Sequence, residues 1–177
     1  MTNINIFNSP KKLHTAFGLI EIILSLAIIS VVITSLGLLF SLSIQARVKN
    51  QVIKEVNGQA EQLLWLMTHT IRNGTSINSP LIATSGTSLS VGTLDPNTNP
   101  TIFAVTNGAM TITEGGSDPV TLTNSLVKVS NFIILNNSLL ETPGSIRIQF
   151  VLEQSDTSGR AEYEFRQTYY ASASLRY

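Results

Sequence analysis

Phe17-Gly18-Leu19-Ile20-Glu21 heads an apolar run that continues to Ile44. Residues 22–44 contain no charge and no proline, and their one glycine is Gly37. At 1.5 Å per residue they make about 35 Å of helix, enough to cross a hydrocarbon layer of about 30 Å. A secretory signal has a shorter apolar core, of roughly 7–15 residues, followed by a small-residue cleavage site. The nearest candidate for such a site, Ile44-Gln45-Ala46, fits poorly, so the run reads as a retained anchor. One carboxylate, Glu21, stands among the apolar residues at its head. A carboxylate at mid-membrane costs ~2.5–3.5 kcal/mol on insertion scales and less toward the interface, so Glu21 needs a reason. Lys11 and Lys12 precede the run, and Arg47, Lys49 and Lys54 follow it, so the balance of positive charge does not decide orientation.

Beyond Gln45 the helical pattern continues but becomes one-sided. Val48, Val52, Val56, Ala60, Leu63 or Leu64, Met67 and Ile71 recur at steps of three and four, while Arg47, Lys49, Lys54, Glu61 and Arg72 fall off the stripe. This periodicity predicts an amphipathic helix over 45–73 with one face for a core. Gly58 marks a point of local bending, and Asn73-Gly74 is the stop.

Residues 74–177 read as a sheet-rich domain, with many Ser, Thr and Asn suited to strands and turns that face water. Residues 81–83 and 89–91 are short strand candidates. Residues 101–106 and 109–114 flank Asn107-Gly108, which predicts a two-residue hairpin. Gly115-Gly116-Ser117-Asp118-Pro119 is the next turn. Residues 120–135 hold a strand or two, in which Leu126-Val127-Lys128-Val129 leads into Phe132-Ile133-Ile134-Leu135, and 136–144 is a loop. Ile146, Ile148, Phe150 and Leu152 alternate with polar residues, as do Tyr163, Phe165, Tyr169, Ala171, Ala173 and Leu175. Period-two alternation of this length predicts antiparallel strands with one buried face, and the stripe of the 45–73 helix is its natural cover. The expected fold is α+β: a long N-terminal helix packed on an antiparallel sheet.

Composition removes several functions. Lys plus Arg and Asp plus Glu are both 11, so no basic excess points to nucleic acid. Without cysteine the chain has no disulfide, thiolate nucleophile or Cys-ligated metal. Catalytic motifs of the G-x-S-x-G, H-E-x-x-H and phosphate-loop kinds are missing, so no enzymatic activity and no cofactor are expected. Trp65, Met67 and His69 near the helix end read as core packing and a solvated histidine. Glu114 and Asp118 bracket a Gly-Gly pair that suggests calcium, but a plain hairpin turn is the better reading. Tyr163, Tyr169 and Tyr170 suggest a stacking surface for nucleic acid. Tyr163 and Tyr169 share the apolar face, however, and no basic patch surrounds them, so core packing is preferred and no metal or nucleic-acid site is expected.

The stretch from Lys11 to Glu21, KKLHTAFGLIE, resembles the class III signal of type IV prepilins and type II secretion pseudopilins. The resemblance implies a basic leader over 1–16, carrying Lys11 and Lys12, that a prepilin peptidase cuts between Ala16 and Phe17. It implies N-methylation of Phe17 as the new N-terminus and places Glu21 fifth in the mature chain. Ala16 stands where the family has glycine, and Gly18 where it commonly has threonine. The implied division is leader 1–16, transmembrane and assembly helix 17–44, amphipathic helix 45–73 and β-rich pilin domain 74–177. By layout the chain is similar to W-type minor pilins and J-type minor pseudopilins. The family implies a single-pass protein of the bacterial inner membrane with an extracytoplasmic C-terminal domain, later part of a surface or periplasmic filament. Its partners would be the lipid bilayer, the peptidase, other pilin or pseudopilin subunits and an inner-membrane assembly platform. Pairing of Glu21 with the Phe17 amine, in the same chain or a neighbour, lowers the cost of both charges and sets axial register. Pilus and secretion system stay open. The alternative is a membrane-anchored extracytoplasmic ligand-binding domain that does not polymerise.

Overall fold

The computed structural model describes residues 18–155, 159–160 and 163–176. Among the described residues the fold is α+β, with one long helix, α1 (Leu19–Asn73), followed by nine strands in two antiparallel sheets. The chain divides into two units, one ending at Ser43 and one beginning at Ile44.

In the first unit every described residue is exposed and helical from Leu19 onward. Mean hydropathy reaches 2.7, so this is a candidate membrane span that fits single-pass anchoring. Three of its hydroxyls are satisfied inside the helix. Ser25 donates to Glu21 O, Thr34 to Ser30 O and Ser35 to Val31 O, each at 2.8 Å. Back-bonding of this kind lets Ser and Thr sit in a lipid-facing helix without an unmet donor.

The second unit has a conventional core. Val52, Val56, Ala60, Leu63, Met67 and Ile71 are buried along one face of α1, at the spacing that the periodicity predicts. The helix continues through Gly58 without a break and ends at Asn73. Gly74 is needed there because a Cβ would lie 2.4 Å from Val91 Cγ1.

One sheet has the order β1 (Ser76–Ser79), β3 (Ser88–Gly92), β4 (Thr101–Thr106), β5 (Ala109–Glu114), β6 (Val120–Thr121). The other has the order β2 (Ser85–Gly86), β7 (Val127–Asn136), β8 (Ser145–Gln154), β9 (Arg166–Ser174). The expected single sheet is therefore two, joined in part by Val129 N donating to Gly108 O at 2.7 Å. Buried side chains of both sheets, including Phe103, Met110, Ile148 and Phe150, share one core with the α1 stripe.

The β4–β5 hairpin matches its expected bounds. Asn107 and Gly108 both have positive φ, 53° and 79°, as a tight primed turn requires. Residues 81–83 are not a strand. They form a turn in which Ala83 has φ 59°, while the polar flanking segments 76–79 and 85–86 pair with β3 and β7 instead. The last strand begins at Arg166, so Tyr163 and Phe165 lie outside it, although both pack against the core.

The strand β7 carries a bulge. Ser130 pairs with Val151 and Ile133 with Gln149, so β7 holds one extra residue, with Asn131 at φ 50°. Before the bulge Val127 and Val129 are buried, and after it Phe132, Ile134 and Asn136 are.

Candidate functional site

The resemblance centres on the head of α1. Lys11, Lys12, Ala16 and Phe17 lie outside the described residues. Glu21 lies within them, in the first turn of α1. Glu21 N donates to Gly18 O at 2.9 Å, and its main-chain oxygen receives the Ser25 hydroxyl. A carboxylate in a first turn interacts favourably with the positive end of the helix dipole. Leu19, Ile20, Ile22, Ile23 and Leu24 around it are all exposed large apolar residues. Among the described residues no cation pairs with the Glu21 carboxylate. The next ionisable residue along the chain is Arg47. The site is therefore an unpaired acid on an apolar helix surface, chemically suited to receive one cationic group from outside the described residues.

The three tyrosines do not form a platform. Tyr169 is half-buried, its ring tilted against Phe150 at 5.8 Å, and its hydroxyl donates to Asn57 Oδ1 on α1. Burial, with a smaller contribution from the Glu61 charge, pushes its pKa above the ordinary 10.0. Tyr170 turns to the opposite face of the sheet, with the Arg147 guanidinium 5.7 Å from its ring centre. Tyr163 lies under Arg160 at 5.6 Å and packs against the core.

Trp65, Met67 and His69 are separated as well. Met67 is fully buried, but Trp65 is 63% exposed, which corrects its reading as core. Positions 65 and 67 fall on different faces of a helix of 3.6 residues per turn. The Trp65 ring stacks on His69 at 5.1 Å, and the Asn73 amide contacts the His69 ring. At the Gly115 turn, Ser117 N donates to Glu114 O at 3.1 Å. Gly115 has φ 57°, and a Cβ there would meet Asn97 O at 2.4 Å, so the position requires glycine. Among the described residues no three His, Cys, Asp or Glu side chains group to hold a metal.

Two features were not read from the sequence. Near the start of the second unit a groove of about 240 Å³ is lined by Val48, Gln51, Val52, Glu55, Leu126 and Tyr163. Glu55 there accepts from Asn124 Nδ2 at 2.5 Å, which ties α1 to the β6–β7 connection. Elsewhere, buried Asn136 joins two loops. Its amide donates to Pro80 O at 2.7 Å, while its Oδ1 receives Ser138 N at 3.0 Å and the Ser138 hydroxyl. These loops expose Leu81, Ile82, Leu139 and Leu140. The only signal for Asn136 was a polar residue ending an apolar strand, which also describes any loop start.

Comparison with known proteins brought no match to a protein family, a curated protein or a solved structure.

Proposed function

We propose that this chain is a type IV pilin-like subunit, of the minor kind, assembled through its N-terminal helix into a pilus or a secretion pseudopilus. The observation that carries the reading is Glu21: a carboxylate in the first turn of a helix, with no cation beside it and no cover for the surrounding apolar surface among the described residues. An apolar surface of this kind is covered by lipid or by other helices, and a lone acid on it gains most from a cation delivered by a neighbour. Cleavage between Ala16 and Phe17 would supply that cation as the Phe17 amine. On this reading the protein starts in the bacterial inner membrane with residues 45–177 outside the cytoplasm. Prepilin peptidase, an assembly platform and other subunits are its partners. Hydrogen-bonded α1 and the sheets act as a scaffold that presents loops, and no catalytic step belongs to the chain.

Mass spectrometry of the N-terminus, after expression in a host that contains prepilin peptidase, tests the proposal. A chain that begins at N-methylated Phe17 is expected. A chain still carrying residues before Phe17 sinks the reading and leaves the non-polymerising membrane-anchored domain in its place.

A further inference from the structure

The four sheet edges are not equally protected. In the first sheet the edges are β1, four residues long with a register shift between Ile77 and Ser79, and β6, two residues long. In the second sheet one edge is β2, also two residues long. Short or bulged edges offer few free main-chain groups, which is how folded proteins avoid unwanted pairing. The other edge, β9, has none of these protections. It runs for nine residues, Arg166–Ser174, in unbroken register with β8 from Glu153↔Arg166 to Ser145↔Ser174. It contains no proline and no lysine, and its one charge, Arg166, is at its first position, 3.7 Å from Glu153.

Every second residue of such an edge turns both its N–H and its C=O away from the neighbouring strand. Among the described residues no hydrogen bond reaches the main chain of 167–174 from beyond β8. A strand added there would lie about 4.8 Å from β9 and about twice that from β8. Charge then specifies the occupant. Arg147 on β8 is opposite Ser172, and its guanidinium lies over the Tyr170 ring. It is exposed and has no carboxylate partner among the described residues. Ser172 and Ser174 are small and exposed, which leaves the long Arg147 side chain a path across β9.

We propose that β9 is the acceptor edge for an extended strand of a different protein rather than a second copy of this chain, and that this strand carries a carboxylate on the Arg147 face beside Ser172. Main-chain bonds supply the affinity, and the Arg147 charge sets register and preference. This inference does not depend on cleavage at Phe17, so its failure and that of the filament reading are separate.

The test uses the full chain in detergent micelles and two end-blocked peptides of alternating Thr and Val, one with a central Glu and one with a central Lys. Hydrogen exchange read by mass spectrometry should show amides within 166–174 slowed about tenfold by the Glu peptide, because they gain bonded partners. The Glu peptide should bind about fivefold more tightly than the Lys peptide, the preference expected of one well-placed surface ion pair. The exposed substitution Arg147→Glu should reverse that preference while the β7 amides stay protected, showing that the fold is intact. Equal binding of both peptides would refute the assignment of Arg147. Absence of protection by either peptide would overturn the acceptor edge. Protection that grows with protein concentration alone would overturn it in favour of a second copy.

Discussion

The two parts of α1, residues 19–43 and 44–73, differ both in how much apolar side chain they carry and in how they deploy it. In the first, Ile, Leu and Val occur on all sides, and none is buried among the described residues. In the second, apolar residues keep to one stripe, and six of its positions are buried against two sheets. Where a helix finds its cover is therefore written in both the amount and the placement of its apolar residues. An all-round apolar surface asks for a surrounding medium or many neighbours, whereas a stripe asks for one partner surface, here in the same chain.

The sharpest way to break this contrast is to truncate one residue in each part. Met67→Ala should cost about 2–5 kcal/mol of the second unit's stability through lost burial and a residual cavity. Leu36→Ala should change it by no more than about 0.5 kcal/mol, because Leu36 is an exposed residue of the other unit. Denaturant unfolding in micelles, followed by circular dichroism, measures both, and equal losses would show that the two parts form one folding unit.

Next in size is a pair of acidic substitutions. On the proposed filament reading, Glu21→Ala should leave membrane insertion intact and lower recovery in sheared filaments by more than about tenfold, since losing one partner of a buried ion pair costs about 2–5 kcal/mol. Glu61→Ala, an exposed acid on the second part, should leave recovery unchanged. Normal assembly of the Glu21 variant would remove the role given to that carboxylate.

The smallest effect sharpens the contrast through a polar contact, one of those that tie the second part of α1 to the sheets. Tyr169→Phe should cost about 1 kcal/mol by removing the hydrogen bond to Asn57. The pKa of Tyr169 is raised on folding, chiefly by burial, so the folded state holds its proton more firmly than the unfolded state does. That contribution is fully present below the ordinary tyrosine pKa of about 10 and is lost as pH rises above it toward the folded value. The unfolding midpoint should fall across that alkaline range in the native chain and fall less in the Phe variant. Parallel pH profiles would contradict the assignment.

Much of the architecture was legible because it rests on local periodicity. Val52 through Ile71, the Asn107-Gly108 turn and the alternation from Ile146 to Leu152 each carry their signal within a few residues. The division into two sheets was not legible. The short strands β1, β2 and β6 are polar or only two residues long, and they exist because β3, β7 and β5 offer them main-chain partners. Trp65 misled because an aromatic near a core stripe looks like core, while a neighbouring histidine supplied a surface for it to stack on. At the proposed site Glu21 was visible as a charge out of place, but its lack of a described partner is a three-dimensional fact. The unguarded edge of β9 had no sequence signature, since only the topology shows which strand comes last in a sheet.

The extra residue at Asn131 has a consequence for the far end of β7. It acts as a frameshift in the alternation of that strand: odd positions face inward before it and even positions after it. Without the shift Leu135 would take the interior position and the Asn136 amide would point to water. Pro80 O would then lose its donor, and Ser138 would lose the oxygen it binds. Deleting the residue at 131 itself would remove the bulge together with its shift, leaving Phe132, Ile134 and Asn136 on the inward face of a regular strand, so both loops should stay tied. A backbone irregularity near the middle of one strand thus decides, five residues later, which side chain anchors the loops.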